Sequence, residues 1–153
     1  MKVIAAFAAP CLIMSIPAGA APPGVSIKHY LAPALNGAAA PFSKAVRVGD
    51  VLYLSGVIGR SPDGKIPDGI EAQTKAAMGD IGETLKAAGL TYGDVFHCTV
   101  FLDDMKTWSA FNKIYIGYFE ANHLPARSAV GVTALALPGA LMEIECQAYA
   151  GKK

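Results

Sequence analysis

Charge is scarce in this chain. Asp, Glu, Lys and Arg make up 16% of its 153 residues, against about a quarter in an ordinary soluble domain. The charge that is there balances, with 13 basic and 12 acidic residues. A near-neutral chain lacks the basic footprint of a dedicated nucleic-acid binder. Cysteine is scarce too. Cys11, Cys98 and Cys146 are the only three, too few for a disulfide scaffold and without the paired spacing of a zinc site. No phosphate-binding loop, paired-histidine metal motif or Gly-x-Ser-x-Gly elbow occurs, so no metal site is expected. His29, His97 and His123 are scattered. What the chain has in quantity is apolar surface, 53% of its residues. That excludes disorder and implies an apolar stretch outside an ordinary core. The length suits one domain.

The amino terminus accounts for part of the excess. Met1 and Lys2 start the chain, Val3 to Ile16 carries no charge, and Pro17-Ala18-Gly19-Ala20 precedes Ala21. A basic start, an apolar stretch and a small-x-small site read as a secretory signal peptide over residues 1–20. Pro10 interrupts the apolar stretch, which is also short for a membrane span of about 20 residues. Cleavage would remove Lys2 and Cys11 and leave a mature chain of balanced charge. That chain is expected to be periplasmic or secreted, with no membrane attachment. Cys98 and Cys146 remain, both on predicted strands. They could pair in an oxidising compartment, although the favoured reading is two buried small hydrophobes.

Residues 21–37 read as an irregular arm with a short edge strand near Ser26 to Tyr30, and residues 38–151 as the folded domain. Ala45 to Val48 and Val51 to Gly56, split by Gly49-Asp50, predict a hairpin. Two Pro-Asp-Gly turns between residues 59 and 70 predict an exposed loop. From Glu71 to Ala88 the pattern is helical, with Thr74, Met78, Ile81, Leu85 and Ala88 on one stripe and Gly89 as its stop. Val95 to Asp103 alternates as a strand, with Phe96, Cys98, Val100 and Leu102 on one face and His97, Thr99, Phe101 and Asp103 on the other. A second helix is expected from Thr107 through Ala121, its stripe being Phe111, Ile114 or Tyr115, Tyr118 and Phe119. Strands follow over Ser128 to Leu135 and Leu141 to Ala150. The order implies an α+β fold, a single mixed sheet with two helices on one face. Apolar residues on both sides of the strands leave the second face in need of a partner, so an oligomer is expected.

Four residues draw attention chemically. Glu143 and Glu145 lie two apart on the last strand, on the face opposite Met142, Ile144 and Cys146. Such a carboxylate reads either as a solvated strand face or as a proton carrier lining a cleft. Arg127 stands between a helix end and a strand start. Its planar fork would suit the carboxylate of a small acid, or it could be an ordinary surface arginine. Gly56, late in a strand after Ser55, permits the close approach of a ligand or another backbone.

Several segments recur together, in order, in one known family: Ala40-Pro41-Phe42-Ser43-Lys44-Ala45-Val46, Leu54-Ser55-Gly56, Glu71-Ala72-Gln73-Thr74, Thr99-Val100-Phe101-Leu102, Phe111-Asn112, Pro125-Ala126-Arg127-Ser128 and Met142-Glu143-Ile144-Glu145. On these the chain resembles the RidA/YjgF family of imine and enamine deaminases. The resemblance implies a fold similar to chorismate mutase of the Bacillus type and a homotrimer with clefts between subunits. It implies a small 2-imino acid as substrate, a 2-keto acid as product, and no cofactor. It places Arg127 on the substrate carboxylate and Glu143 on the attacking water, with Ser55, Gly56, Phe42 and Asn112 lining the cleft. The chain departs from the family at Phe42, commonly Tyr, at Val57, commonly Gln, and at Ala129, commonly Cys. A noncatalytic trimer binding small carboxylates or partner proteins through the same clefts is the alternative. RNA cleavage, attributed to some relatives, sits poorly with the neutral charge.

Overall fold

The computed structural model describes residues 24–34, 38–61 and 63–152. The expected signal peptide lies outside them. The arm is partly inside, and its expected edge strand is present: Ile27–Leu31 forms β1 at the edge of the sheet. β2 (Ser43–Val48) and β3 (Val51–Leu54) make the expected hairpin across Gly49, whose φ of 58° suits the turn. A two-residue strand, β4 (Val57–Ile58), follows after a break.

Helix α1 (Ile70–Ala87) comes next. Its buried stripe contains the predicted Thr74, Met78, Ile81 and Leu85, joined by Ala77. It stops as the sequence indicates. Gly89 takes φ 76°, and the Gly89 and Leu90 amides donate to the carbonyls of Lys86 and Leu85, closing the last turn as a left-handed cap does. β5 (Val95–Leu102) leads through a 3-10 turn to α2 (Trp108–Tyr115). This helix is shorter than expected, since a 3-10 turn over Ile116–Tyr118 ends it. Of the two open choices for its stripe, Tyr115 is buried and Ile114 is not. β6 (Ala126–Gly131) and β7 (Met142–Tyr149) complete the chain.

The sheet runs β1-β2-β3-β7-β5-β6, with β4 also on β7. Among the described residues only the β5–β6 pairing is parallel, so the sheet is mixed. Leu52, Leu54, Cys98, Val100, Leu102, Met142, Ile144 and Cys146 are buried with Ala77, Met78, Ile81, Leu85 and Phe111 of the helices in one core. The opposite face carries Glu143, Glu145, Gln147 and Tyr149 of β7 in alternation. Val48, Tyr53, Val130 and Tyr149 remain exposed in the single chain.

Two further expectations need correction. Phe96 does not share the buried face of Cys98, Val100 and Leu102. The β5–β7 register shifts between Val95 and His97, so Val95 is buried in its place and Phe96 is 43% exposed. Such a bulge adds a residue to one strand and turns its side chain off the alternation. Cys98 and Cys146 are buried, as expected of small hydrophobes, but they are also joined as a disulfide. They stand directly opposite each other in the β5–β7 register, with Cα atoms 4.1 Å apart. Side chains at such cross-strand positions are near enough to bond.

Candidate functional site

The break between β3 and β4 builds half of the site. β3 pairs Tyr53 with Gln147, whereas β4 pairs Val57 with Ile144. Between them the register slips by one residue, at Ser55-Gly56. The Ser55 hydroxyl donates to the Ser43 carbonyl at 2.6 Å, and the Ser55 amide to the Lys44 carbonyl at 2.9 Å. That ties the break to β2 and leaves the hydroxyl oxygen free to accept. Gly56 lies under the Glu143 side chain. A Cβ there would sit 2.9 Å from Glu143 Cδ, and closer still to Oε1. Only glycine allows the carboxylate this position.

Glu143 projects from the open face of β7, level with Phe101 of β5 and Ile58 of β4. Burial, with the neighbouring Glu145 second, pushes its carboxyl above the usual carboxylate range. A raised carboxyl is a better proton acceptor near neutrality than an ordinary one. Phe42 is half exposed and, with Ser55 and Gly56, lines a groove of about 970 Å³ that runs along α1. Lys44 and Asp80 are paired at the wall of that groove.

Arg127 belongs to a second half. In the parallel β5–β6 ladder it stands beside Cys98, which faces the helices. Its guanidinium carbon lies 4.5 Å from the ring centres of both Trp108 and Tyr115. Nη1 is buried and without a hydrogen-bond partner, and no carboxylate pairs with the guanidinium among the described residues. Asn112 sits on α2 between those two aromatic residues in sequence. Its Oδ1 is also buried and unbonded. The Tyr115 hydroxyl beside them is buried and unbonded as well among the described residues, and an unsatisfied buried polar atom costs about 1–3 kcal/mol.

The predicted residues therefore fall into two groups. Gly56 and Glu143 meet at the β3–β4 break, and Phe42 shares the groove along α1 with Ser55 and Gly56. Arg127 of β6 lies against Trp108 and Tyr115 of α2, the helix that also carries Asn112. Strand alternation sets Arg127 on the helix-covered face and Glu143 on the open one, so one chain does not bring the guanidinium and the carboxylate together. Trp108 and Tyr115 escape a sequence reading, because aromatic residues at helical spacing read as core. Of the histidines, His123 pairs with Glu120 at 3.0 Å, His29 lies 3.4 Å from Ser43, and His97 faces Gln147 across the β5–β7 ladder. None joins either group.

The family model described as endoribonuclease L-PSP matches residues 32–150. A rat 2-iminobutanoate/2-iminopropanoate deaminase is 42% identical over 122 residues, covering 78% of this chain and 85% of the relative. The human protein of the same name is 40% identical over 117 residues, covering 75% and 84%. Among solved structures, a Rid-family protein from Yersinia pestis superposes with a TM-score of 0.73 at 35% identity, over 81% of this chain and 99% of that one. The YjgF protein of E. coli gives 0.68 at 33% identity, over 77% and 92%. With the model spanning most of the chain and relatives at this identity, the protein belongs to the endoribonuclease L-PSP family, the RidA/YjgF group.

Proposed function

We propose that this protein hydrolyses small 2-imino and enamine acids to 2-keto acids and ammonia. The observation that carries the reading is the Arg127 guanidinium, laid against two rings and unmatched by any carboxylate among the described residues. A ligand carboxylate is the natural complement of that fork. The curated relatives named 2-iminobutanoate/2-iminopropanoate deaminase support the same chemistry.

In this reading the protein works as a homotrimer. Arg127 and Asn112 of one copy meet Glu143, Ser55, Gly56 and Phe42 of the next, because a single chain holds the two groups on opposite faces. The exposed Tyr53, Tyr149 and Val48 of the open face are buried in such an assembly. Arg127 grips the carboxylate of the imine. Glu143 takes a proton from water as the oxygen attacks the imine carbon. The proton passes to the nitrogen, and the carbinolamine collapses to a carbonyl, releasing ammonia. Orientation supplies much of the acceleration, since the imine is already electrophilic. No cofactor is required. The Cys98–Cys146 disulfide suits an oxidising compartment and supports a periplasmic or secreted site of action.

The test mixes purified protein with an imine generated from a neutral amino acid by an amino-acid oxidase and traps what remains with semicarbazide. Faster loss of imine than in buffer, abolished by Arg127→Ala, is expected. Decay at the buffer rate across several amino acids would overturn the deaminase reading. Retained binding of 2-oxobutanoate in that case would leave a noncatalytic carboxylate binder.

A further inference from the structure

The reaction so described gives Trp108 and Tyr115 nothing to do, yet they are the residues that touch its anchor. Trp108, Phe111 and Tyr115 form a ladder of rings along α2. Trp108 and Phe111 stack at 5.8 Å and 17°, Phe111 and Tyr115 at 5.5 Å and 24°. Phe119 extends the ladder from Tyr115 at 4.9 Å. Phe111 is fully buried and Tyr115 is 2% exposed, so the ladder is rigid. Trp108 and Tyr115 are two helical turns apart, about 10 Å along the axis. A guanidinium carbon 4.5 Å from each ring centre therefore bridges the interval between them.

Aromatic faces attract a guanidinium without using its N–H edge. A carboxylate in their place would have consumed that edge. Among the described residues β6 pairs on one side only, with β5, and an unrestrained arginine there would sample many rotamers. We propose that Trp108 and Tyr115 are positioning residues for Arg127, burying Nη1 and holding the guanidinium in one orientation with its Nε and Nη2 edge left for the carboxylate of a 2-imino or 2-keto acid. The inference deepens the deaminase reading and rests on it. The Tyr115 ring stays neutral at any physiological pH, since burial pushes its hydroxyl up to about 12 against the pull of Arg127. The clamp therefore does not titrate with the reaction.

Trp108 is the only tryptophan in the chain, so its fluorescence reports on the clamp directly. Intact protein is titrated with 2-oxobutanoate while emission is followed, and KM and kcat are measured separately on the oxidase-generated imine. Wild type should show a saturable emission change. Trp108→Leu and Tyr115→Leu should raise KM about 3- to 30-fold while kcat stays within about twofold. Trp108→Phe and Tyr115→Phe, which keep a ring, should stay within about threefold of wild type. A folded Trp108→Leu protein with unchanged KM would overturn the inference. If the Leu variants fail to fold, a wild-type emission that stays flat at saturating 2-oxobutanoate overturns it equally. Arg127→Ala separates the two levels of the argument. Undiminished binding in Arg127→Ala would mean that the anchor itself is misassigned. Lost binding there, with normal KM in Trp108→Leu, would refute the clamp alone.

Discussion

Gly56→Ala perturbs the candidate site with a single methyl group. Gly56 does not occupy a positive-φ conformation, so the backbone accepts alanine and the effect is steric. The new Cβ would stand 2.9 Å from Glu143 Cδ and 3.3 Å from Cγ, where carbon contacts relax to about 3.5–4.0 Å. The carboxylate must therefore retreat by about 1 Å, and its terminal oxygen by more. On the open face it can rotate away from the sheet, so the stability loss should fall at the low end of overpacking, about 1 kcal/mol. Catalysis has less latitude. A misplacement of about 1 Å at a reacting group costs on the order of 100-fold. The semicarbazide assay should therefore show kcat/KM down by about two orders of magnitude, with a melting temperature within a few degrees of wild type. Adding Gly56→Ala to Glu143→Gln should cost nothing more, because the group it displaces is already disabled. A folded Gly56→Ala protein with more than half of wild-type activity would refute the placement of Glu143 as the water-activating group.

Other consequences concern stability and pH. The folded state holds the Glu143 proton more tightly than the unfolded chain does, since burial and Glu145 raise its carboxyl. That contribution is present in acid and lost as pH rises through the folded value. Glu143→Gln should accordingly melt above wild type at pH 8, and the gap should close below about pH 4; thermal scans across pH would show it, and a lower melting point at pH 8 would contradict it. Gln73 is buried inside α1, donates to the carbonyls of Pro67 and Gly139, and accepts from the Leu141 amide. Gln73→Leu leaves all three unmatched and should cost about 3–5 kcal/mol, read as a melting temperature lower by about 12–20 °C. The disulfide joins residues separated by 48 positions, a loop whose closure is worth about 4 kcal/mol. Cys98→Ala/Cys146→Ala should lower the urea midpoint accordingly. An unchanged midpoint would mean that the two thiols are not joined in the folded protein.

Much of this architecture was legible because it follows from period and punctuation. The α1 stripe from Thr74 to Leu85 and its Gly89 stop reappear in place, and so does the Glu143–Glu145 alternation on β7. What escaped depends on register, which no local window contains. The slip at Ser55-Gly56 and the bulge that exposes Phe96 are properties of two strands together. The pairing of Cys98 with Cys146 needs the same register, since their separation along the chain says nothing of their approach. β4 is two residues long and has no period to detect. α2 gives way to a 3-10 turn just after Tyr115, although the apolar stripe continues to Phe119. The site divides likewise. Gly56 announces a close approach, but nothing local to Arg127 reveals that two rings of α2 hold it, or that Glu143 points from the other face of the sheet.

The central claim is that Arg127 of one copy works with Glu143 of another. Mixing tests it most directly. Arg127→Ala and Glu143→Gln proteins, each inactive alone, are unfolded together in equal amounts and refolded, and imine hydrolysis is measured. If each site takes its arginine and its glutamate from different copies, random reassembly restores about a quarter of wild-type activity. If both residues serve from the same chain, every refolded site lacks one of them and the mixture stays as inactive as its components.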